Sequence, residues 1–103
     1  MYTKLVLFRN ELKNKSVSRY KLIGIITELI MSKDIFVKNK EIASFMQDIF
    51  SVSVKDYTLK SRSQIVAYAC RLLIADENFK NKDKLLNFIN QKIAEFQAKG
   101  KER

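Results

Sequence analysis

The stretch KNKEIASFMQDIFSVSVKDYTLKSR, residues 38–62, decides how this chain folds. Its first half repeats apolar residues at i, i+3, i+4 and i+7, which is the spacing of one helix face. Asn39 offers a cap for such a helix, and Glu41 puts negative charge in its first turn. The pattern predicts an amphipathic helix of about ten residues. Its inward-facing side chains are Ile42, Phe45, Met46 and Ile49, and its solvent-facing ones are Lys40, Ser44, Gln47 and Asp48.

The sequence SVSV at residues 51–54 ends this helix, because β-branched valine alternates there with serine, which prefers caps to helix interiors. Ser53 and Asp56 have the spacing of a capping box, so a second helix is predicted to start near Lys55. No helix breaker follows before Ala75. Such a helix would turn Leu59, Val66, Cys70 and Leu73 inward and leave Lys55, Thr58 and Arg62 in solvent.

A fresh start at Ser61 is the alternative, because its spacing to Gln64 also matches a capping box. Residues 55–75 then form two shorter helices with a bend between them. The sequence leaves both versions open.

Helical spacing predicts further helices on both sides of this stretch. A first helix is expected over about residues 2–13, a central one follows a cap at Ser16 or Ser18, and a last one covers about residues 82–98. Gly24 in the central helix indicates a close approach by a neighbouring helix. The apolar residues of the central and last stripes are Leu22, Ile25, Ile26, Leu29, Ile30, Leu85, Phe88, Ile89, Ile93 and Phe96.

The composition favours a single helical domain over residues 1–103, with residues 97–103 as a frayed tail. Two glycines and no proline leave few breakers, so long helices are permitted. The only candidate for a sheet is IFV at residues 35–37, which suits one arm of a small β-ribbon or an extended linker. We expect an all-α fold of four to five helices, of the helix-turn-helix or winged-helix-like type.

Several functional classes are disfavoured by the residue types present. With no histidine and a single cysteine, Cys70, the chain lacks the residues for a disulfide framework, for a Cys- or His-based metal site and for Ser-His chemistry. Glu28, Glu41 and Asp48 do not have the spacing that would gather them around a metal. No apolar run is long enough to cross a membrane. The sequence predicts a cytoplasmic protein that is not an enzyme and uses no cofactor.

The net charge of the chain indicates that its partner is negatively charged. A formal net charge of +9 and a pI near 9.8 create a field that attracts nucleic acid. A helix, a turn and a second helix with exposed basic and hydroxyl side chains are what a helix-turn-helix reader needs. The candidates for phosphate contact are Lys38, Lys40, Lys60 and Arg71, with Arg19 and Lys21 in support. The candidates for base edges are Lys55, Thr58, Ser61, Arg62 and Gln64.

The order of segments over residues 17–96 resembles the C-terminal region of RteC-type regulators, which are found on conjugative transposons of gut Bacteroidetes. The resemblance is carried by KNKEIASFMQDIFSVSVKDY and by the later KLLNFINQKI. The matching positions are Glu28, Leu29, Ile30, Lys40, Glu41, Ile42, Ala43, Phe45, Phe50, Asp56, Tyr57, Leu85, Leu86 and Asn87. Regulators of this type are longer, and basic pairs precede their last helix where this chain has ADENFKNK.

This resemblance implies a winged-helix-like unit that binds double-stranded DNA and controls transcription for a mobile genetic element. Helix-turn-helix readers commonly pair to read two half-sites, so a homodimer is a further expectation. The alternative is a small helical protein-interaction factor of a mobile element or phage, without DNA binding. Its candidate contacts are Tyr2, Phe8 and Phe79, aromatic residues outside the regular stripes, each of which either meets a partner or packs under a helix.

Overall fold

The computed structural model describes residues 1–14, 16–76 and 79–101 of the chain. These residues form six helices and contain no strand, so the predicted all-α class is confirmed, with one helix more than expected. No helix in the described part is long and apolar enough to cross a membrane. The helices are α1 (Tyr2–Leu12), α2 (Arg19–Met31), α3 (Asn39–Phe50), α4 (Asp56–Leu59), α5 (Arg62–Ala75) and α6 (Lys82–Lys101).

The predicted β-ribbon arm at residues 35–37 is wrong, because this segment forms a turn. The Phe36 N–H donates to the Ser32 carbonyl oxygen at 3.0 Å, and the Ile35 N–H donates to Ser32 Oγ at 3.3 Å. Ile35 and Phe36 are both buried, whereas Val37 is 71% exposed. Two adjacent buried side chains do not fit the alternation of a strand, which sends neighbouring side chains to opposite faces.

Local capping explains where α2 and α3 begin. Ser18, rather than Ser16, caps α2, since its Oγ accepts from the Lys21 N–H at 3.2 Å. In α3 the cap is Lys38, whose N–H donates to the Glu41 carboxylate at 2.8 Å. The predicted cap, Asn39, is instead the first residue of the helix.

The bend predicted at Ser61 is confirmed, and the continuous helix over residues 55–75 is wrong. Helix α4 ends after one turn, and α5 restarts with Ser61 Oγ accepting from the Gln64 N–H at 3.4 Å. The expected cap at Ser53 is also wrong, because Lys55 precedes α4 as its cap. On α5 the buried face is Ile65, Ala69 and Leu73. Leu59 on α4 and Val66 and Cys70 on α5 were expected to turn inward, and they are half-buried.

Two antiparallel helix pairs organise the fold. At one end of the α1–α6 pair the Gln97 amide donates to Tyr2 Oη at 3.1 Å, and at the other end Lys82 Nζ donates to the Asn14 carbonyl at 3.0 Å. Helices α2 and α5 form the second pair. Helix α3 contacts α4, α5 and α6, so it joins the two pairs.

The core is built around the α3 stripe that the sequence predicts. Ile42, Phe45, Met46 and Ile49 are at most 2% exposed. The rings of Phe36 and Phe88 flank Phe45, with ring centroids 5.3 and 4.8 Å from it. These three rings tie α3 to α6 and to the turn before α3. The remaining fully buried large residues include Leu5, Leu12, Ile25, Ile26, Leu29, Ile30, Ile65, Leu73 and Leu85.

The aromatic residues outside the stripes mostly pack onto this core. Phe8 and Phe79 are half-buried against it, and the Phe79 ring lies 5.8 Å from the Phe50 ring. Tyr2 is 39% exposed. At the chain end, α6 continues to Lys101, beyond the expected end at residue 98. Residues 102 and 103 of the predicted tail, and residues 77 and 78 of ADENFKNK, lie outside the described residues.

Gly24 does not mark a close helix contact, which corrects the expectation from the sequence. A Cβ built at this position meets no atom within 4 Å. We therefore expect Gly24→Ala to stabilise the protein by about 0.5–1 kcal/mol, because alanine restricts the unfolded chain and favours a helix interior. Urea unfolding measures the change. Ala94→Gly, at an exposed site inside α6, is the matched reverse change and should cost a similar amount. A lower free energy of unfolding in Gly24→Ala would contradict the finding that a Cβ at this position meets no neighbouring atom.

Ser51 ends α3 in the left-handed conformation, with φ 57° and ψ 39°. Non-glycine residues are disfavoured in this region, since Cβ approaches the following carbonyl oxygen. We expect Ser51→Gly to raise the free energy of unfolding by about 0.5–1 kcal/mol. The control is Ser44→Gly, at an exposed position inside α3, which should lower it. Chemical denaturation of both variants distinguishes the two sites, and a loss of stability in Ser51→Gly would refute the expectation.

Candidate nucleic-acid interface

The guanidinium group of Arg62 is hydrogen-bonded to acceptors of the protein itself. Its Nε–H donates to Asn39 Oδ1 at 2.8 Å. Its Nη1 donates to the carbonyl oxygens of Ile30 and Ser32 at 3.0 and 3.1 Å, and its Nη2 donates to the Phe36 carbonyl. Arg62 was predicted to stand on a solvent-facing side and to contact base edges. The structure corrects the solvent-facing placement, because the guanidinium is half-buried and its donors face acceptors of the protein itself. The base-edge contact stays a prediction.

Asn39 extends this network to α4. Its Nδ2 donates to the Leu59 carbonyl oxygen at 2.7 Å, while its Oδ1 accepts from Arg62. We call Arg62 and Asn39, with the carbonyl groups that they bind, the Arg62 clamp. The clamp connects the end of α2, the turn before α3, the start of α3, the end of α4 and the start of α5. It therefore holds the end of α4 beside the start of α5.

A groove opens on the outer side of α4 and α5, with a volume of about 500 Å³. One wall comes from residues 53–58. The other wall comes from α5, whose contributions follow the helical spacing i, i+3, i+4 and i+7 and so form one stripe. We call this recess the basic groove. It is lined by Ser53, Lys55, Tyr57, Thr58, Gln64, Ala67, Tyr68 and Arg71.

The basic groove brings together four of the residues that the sequence predicts as DNA contacts: Lys55, Thr58, Gln64 and Arg71. These residues come from two separate helices and the cap between α3 and α4. Ser61, a fifth candidate, is half-buried and caps α5. Its hydroxyl serves the fold at this position.

The remaining candidates lie outside the groove. Lys38 and Lys40 are exposed on either side of Asn39, so their backbone lies next to the end of α4. Lys60, also exposed, follows Leu59 directly at that end. The three lysines thus belong to one neighbourhood at the rim of the Arg62 clamp. Arg19 and Lys21 are exposed at the start of α2 and do not line the groove.

Three lining residues, Ser53, Ala67 and Tyr68, are not among the contact types that the sequence indicates. Tyr57 is of a type that contacts DNA, but it is not among the candidates for phosphate or base-edge contact. Tyr68 sits in the apolar run IVAYACRLLI, where it reads as a core residue. Its spacing from Gln64 and Arg71 is the signal that identifies it, because the three share one helix face. Tyr57 is 66% exposed.

The groove is positive and aromatic. The guanidinium carbon of Arg71 lies 5.9 Å from the centre of the Tyr68 ring, a cation–π distance. No carboxylate lines the groove among the described residues, although Asp56 is exposed next to Lys55 in the chain. The ion pairs within the described ranges, Lys4–Glu28 and Lys92–Glu95, are elsewhere. The groove cations are thus available for an anionic partner.

The helix pair α3 and α5 differs from a tight helix-turn-helix. Residues 51–61 separate the two helices and include α4, whereas the tight motif uses a turn of about three to four residues. The described part of the chain also contains no strand from which a wing could be built. The helix-turn-helix and winged-helix types therefore stay predictions.

The described residues contain no group of three or more Cys, Asp or Glu side chains that could hold a metal ion. Cys70 is half-buried, with Sγ 3.9 Å from Thr27 Oγ1 in the α2–α5 contact.

Comparison of the chain with protein-family models, with curated proteins and with solved structures found no match. The resemblance to RteC-type regulators stays a prediction.

The Arg62 clamp generates a prediction about stability. Arg62→Ala removes the donors from four acceptors within the fold, so we expect the free energy of unfolding to fall by about 2–3 kcal/mol. Arg62→Lys should recover little of this, because one ammonium group cannot reproduce the planar fork. Thermal or urea unfolding measures both variants. Lys60→Ala, exposed two residues away, is the control and should change stability by at most about 0.5 kcal/mol. An equally small effect of Arg62→Ala would contradict the clamp.

Proposed function

We propose that this protein binds double-stranded DNA and acts as a transcriptional regulator of a mobile genetic element, with α5 docked in the major groove. The observation that carries the proposal is the basic groove itself. It gathers Lys55, Gln64 and Arg71 on an open face, next to two tyrosines and without a lining carboxylate among the described residues. The regulatory role rests on the resemblance to RteC-type regulators.

The affinity in this proposal comes from phosphate contacts. The net charge of +9 gives a long-range attraction for DNA. Lys38, Lys40 and Lys60, which are exposed around the end of α4, are suited to contact the DNA backbone beside the helix that enters the groove. Contacts of this kind release counterions, so binding weakens steeply as salt rises.

The sequence preference comes from the outer stripe of α5. In the major groove, Gln64 suits the edge of adenine and Arg71 suits the edge of guanine. Ala67 suits contact with the methyl group of thymine. Seven residues of helix span about 10 Å, which is close to three base-pair steps. Arg71, which the sequence suggests as a phosphate contact, thus gains a second role as a base reader. Lys55 and Thr58 then contact the DNA from the opposite wall of the basic groove.

The alternative function, protein interaction without DNA binding, has weaker support. Its candidate contacts Phe8 and Phe79 pack against the core, which removes most of their surface from a partner. Tyr2 keeps 39% of its surface, but its hydroxyl is used by Gln97.

The proposal is tested first by fluorescence anisotropy with an unrelated duplex of about 25 base pairs at 50 and 200 mM salt. We expect dissociation constants near the micromolar range at low salt and a loss of binding at high salt, since non-specific values of roughly 10⁻⁴ to 10⁻⁶ M are usual at physiological salt. No binding at 50 mM would overturn the proposal. Capture of a protein partner would then become the next experiment.

Variants of the basic groove sharpen this test. Lys55→Gln should lower the slope of log K against log salt by about one, the effect of one lost phosphate contact. Arg71→Gln should weaken binding to a selected sequence by about 1–3 kcal/mol and relax the preference at one position. Lys99→Gln is the control, because Lys99 is exposed near the end of α6, which pairs with α1 rather than with α5. Equal losses in Lys55→Gln and Lys99→Gln would show that total charge, not the groove, governs binding.

A further inference from the structure

The basic groove is a recess between α5 and residues 53–58, so a protruding group of a ligand can enter it. Its volume of about 500 Å³ falls in the range of roughly 300–1,000 Å³ that small-molecule sites occupy. The recess therefore has room for a ligand group of its own.

The planar groups that line this recess are suited to stacking. Tyr68 is half-buried, and Arg71 covers one face of its ring at 5.9 Å. Both residues line the groove, so its α5 wall carries an aromatic ring and a guanidinium group. Tyr57, on the opposite wall, keeps 66% of its surface exposed. Nucleobases stack on tyrosine rings and on guanidinium planes alike.

The polar lining matches the remainder of a nucleotide. Gln64 and Thr58 offer donors and acceptors for the edge of a base. Lys55 and Arg71 supply two cations, and the described lining residues include no carboxylate that would repel a phosphate. The single recess thus offers partners for the ring of a base, for its hydrogen-bonding edge and for a phosphate group.

From this arrangement we infer that the basic groove takes one unpaired nucleotide of a DNA strand. Its base lies between Tyr57 and the Arg71 guanidinium, and its phosphate lies at Lys55. The inference rests on the proposed DNA binding and adds the form of DNA that is preferred. On such DNA, Gln64 and Arg71 contact the unpaired nucleotide in place of the edges of paired bases. An intact duplex must first unstack and unpair a base to fill the groove, whereas a duplex with an unpaired base does not. The protein therefore binds a bulged duplex more tightly than an intact one.

The experiment compares three fluorescein-labelled duplexes of about 25 base pairs by anisotropy at fixed salt. One is intact, one carries a single bulged adenine, and one carries an abasic residue at the bulge. We expect the adenine bulge to bind about tenfold more tightly than the intact duplex, within the range of one base stacked on an aromatic side chain. The abasic bulge should bind like the intact duplex, because it has the bend without the base.

Substitutions at Tyr57 assign the effect to the groove. Tyr57→Ala should abolish the preference for the adenine bulge, while Tyr57→Phe, which keeps the ring, should retain it. Tyr20→Ala is the control, since Tyr20 is 88% exposed at the start of α2 and does not line the groove. With 2-aminopurine at the bulge, stacking should quench its fluorescence when the wild-type protein binds, but not when Tyr57→Ala binds.

The outcomes separate the two proposals. Equal affinity for the intact and adenine-bulged duplexes would overturn the inference and leave the proposed function standing. Equal affinity for the abasic and adenine bulges would overturn it too, because bending alone would then explain the preference. Displacement of the probe by deoxyadenosine monophosphate at the same concentration as by bulged duplex would identify free nucleotide, not DNA, as the ligand. No binding to any duplex would overturn both proposals.

Discussion

The fold depends on the hydrogen bonds that Arg62 makes with backbone carbonyl groups 26 to 32 residues earlier in the chain. A helix leaves its last carbonyl groups without partners, and a turn leaves further ones. Arg62 satisfies Ile30 at the end of α2 and Ser32 and Phe36 in the turn that follows. One planar side chain thus stabilises a helix end and a connection at once, which a single ammonium group could not do.

The basic groove is a consequence of this same interaction. Asn39 links the guanidinium to the end of α4, so the short helix is held although four residues are too few to form a stable helix alone. With α4 fixed, Lys55 and Tyr57 face the outer stripe of α5. The stripe exists because α5 buries only its Ile65, Ala69 and Leu73 face against the core. The basic groove thus depends on the Arg62 clamp, which holds the α4 wall of the groove in place.

This arrangement explains why an arginine next to a basic surface does not belong to it. Arg62 shares its residue type and its helix with Arg71, and the sequence assigns both to DNA. Their positions differ in burial, because Arg62 begins α5 beside the end of α2, while Arg71 lies on the outer stripe against Tyr68. The side chain of an arginine at a helix start can turn toward carbonyl groups that lack partners. Leaving those carbonyl groups unsatisfied costs more free energy than the arginine would gain from a contact at the surface.

The sequence by itself determined what depends on neighbours within about four residues. The all-α class and the buried stripe of α3 follow from spacing. For the cap of α2 and the start of α5 the sequence leaves two alternatives each, between which the structure chooses Ser18 and Ser61. The sequence also marks Lys55, Thr58, Gln64 and Arg71 as contact types. Only the tertiary structure decided that these four share one groove, that Tyr57 and Tyr68 complete it and that Arg62 is excluded. Those facts depend on contacts such as Arg62 to Asn39, separated by 23 residues, and no local pattern records which of many polar partners a long side chain will reach.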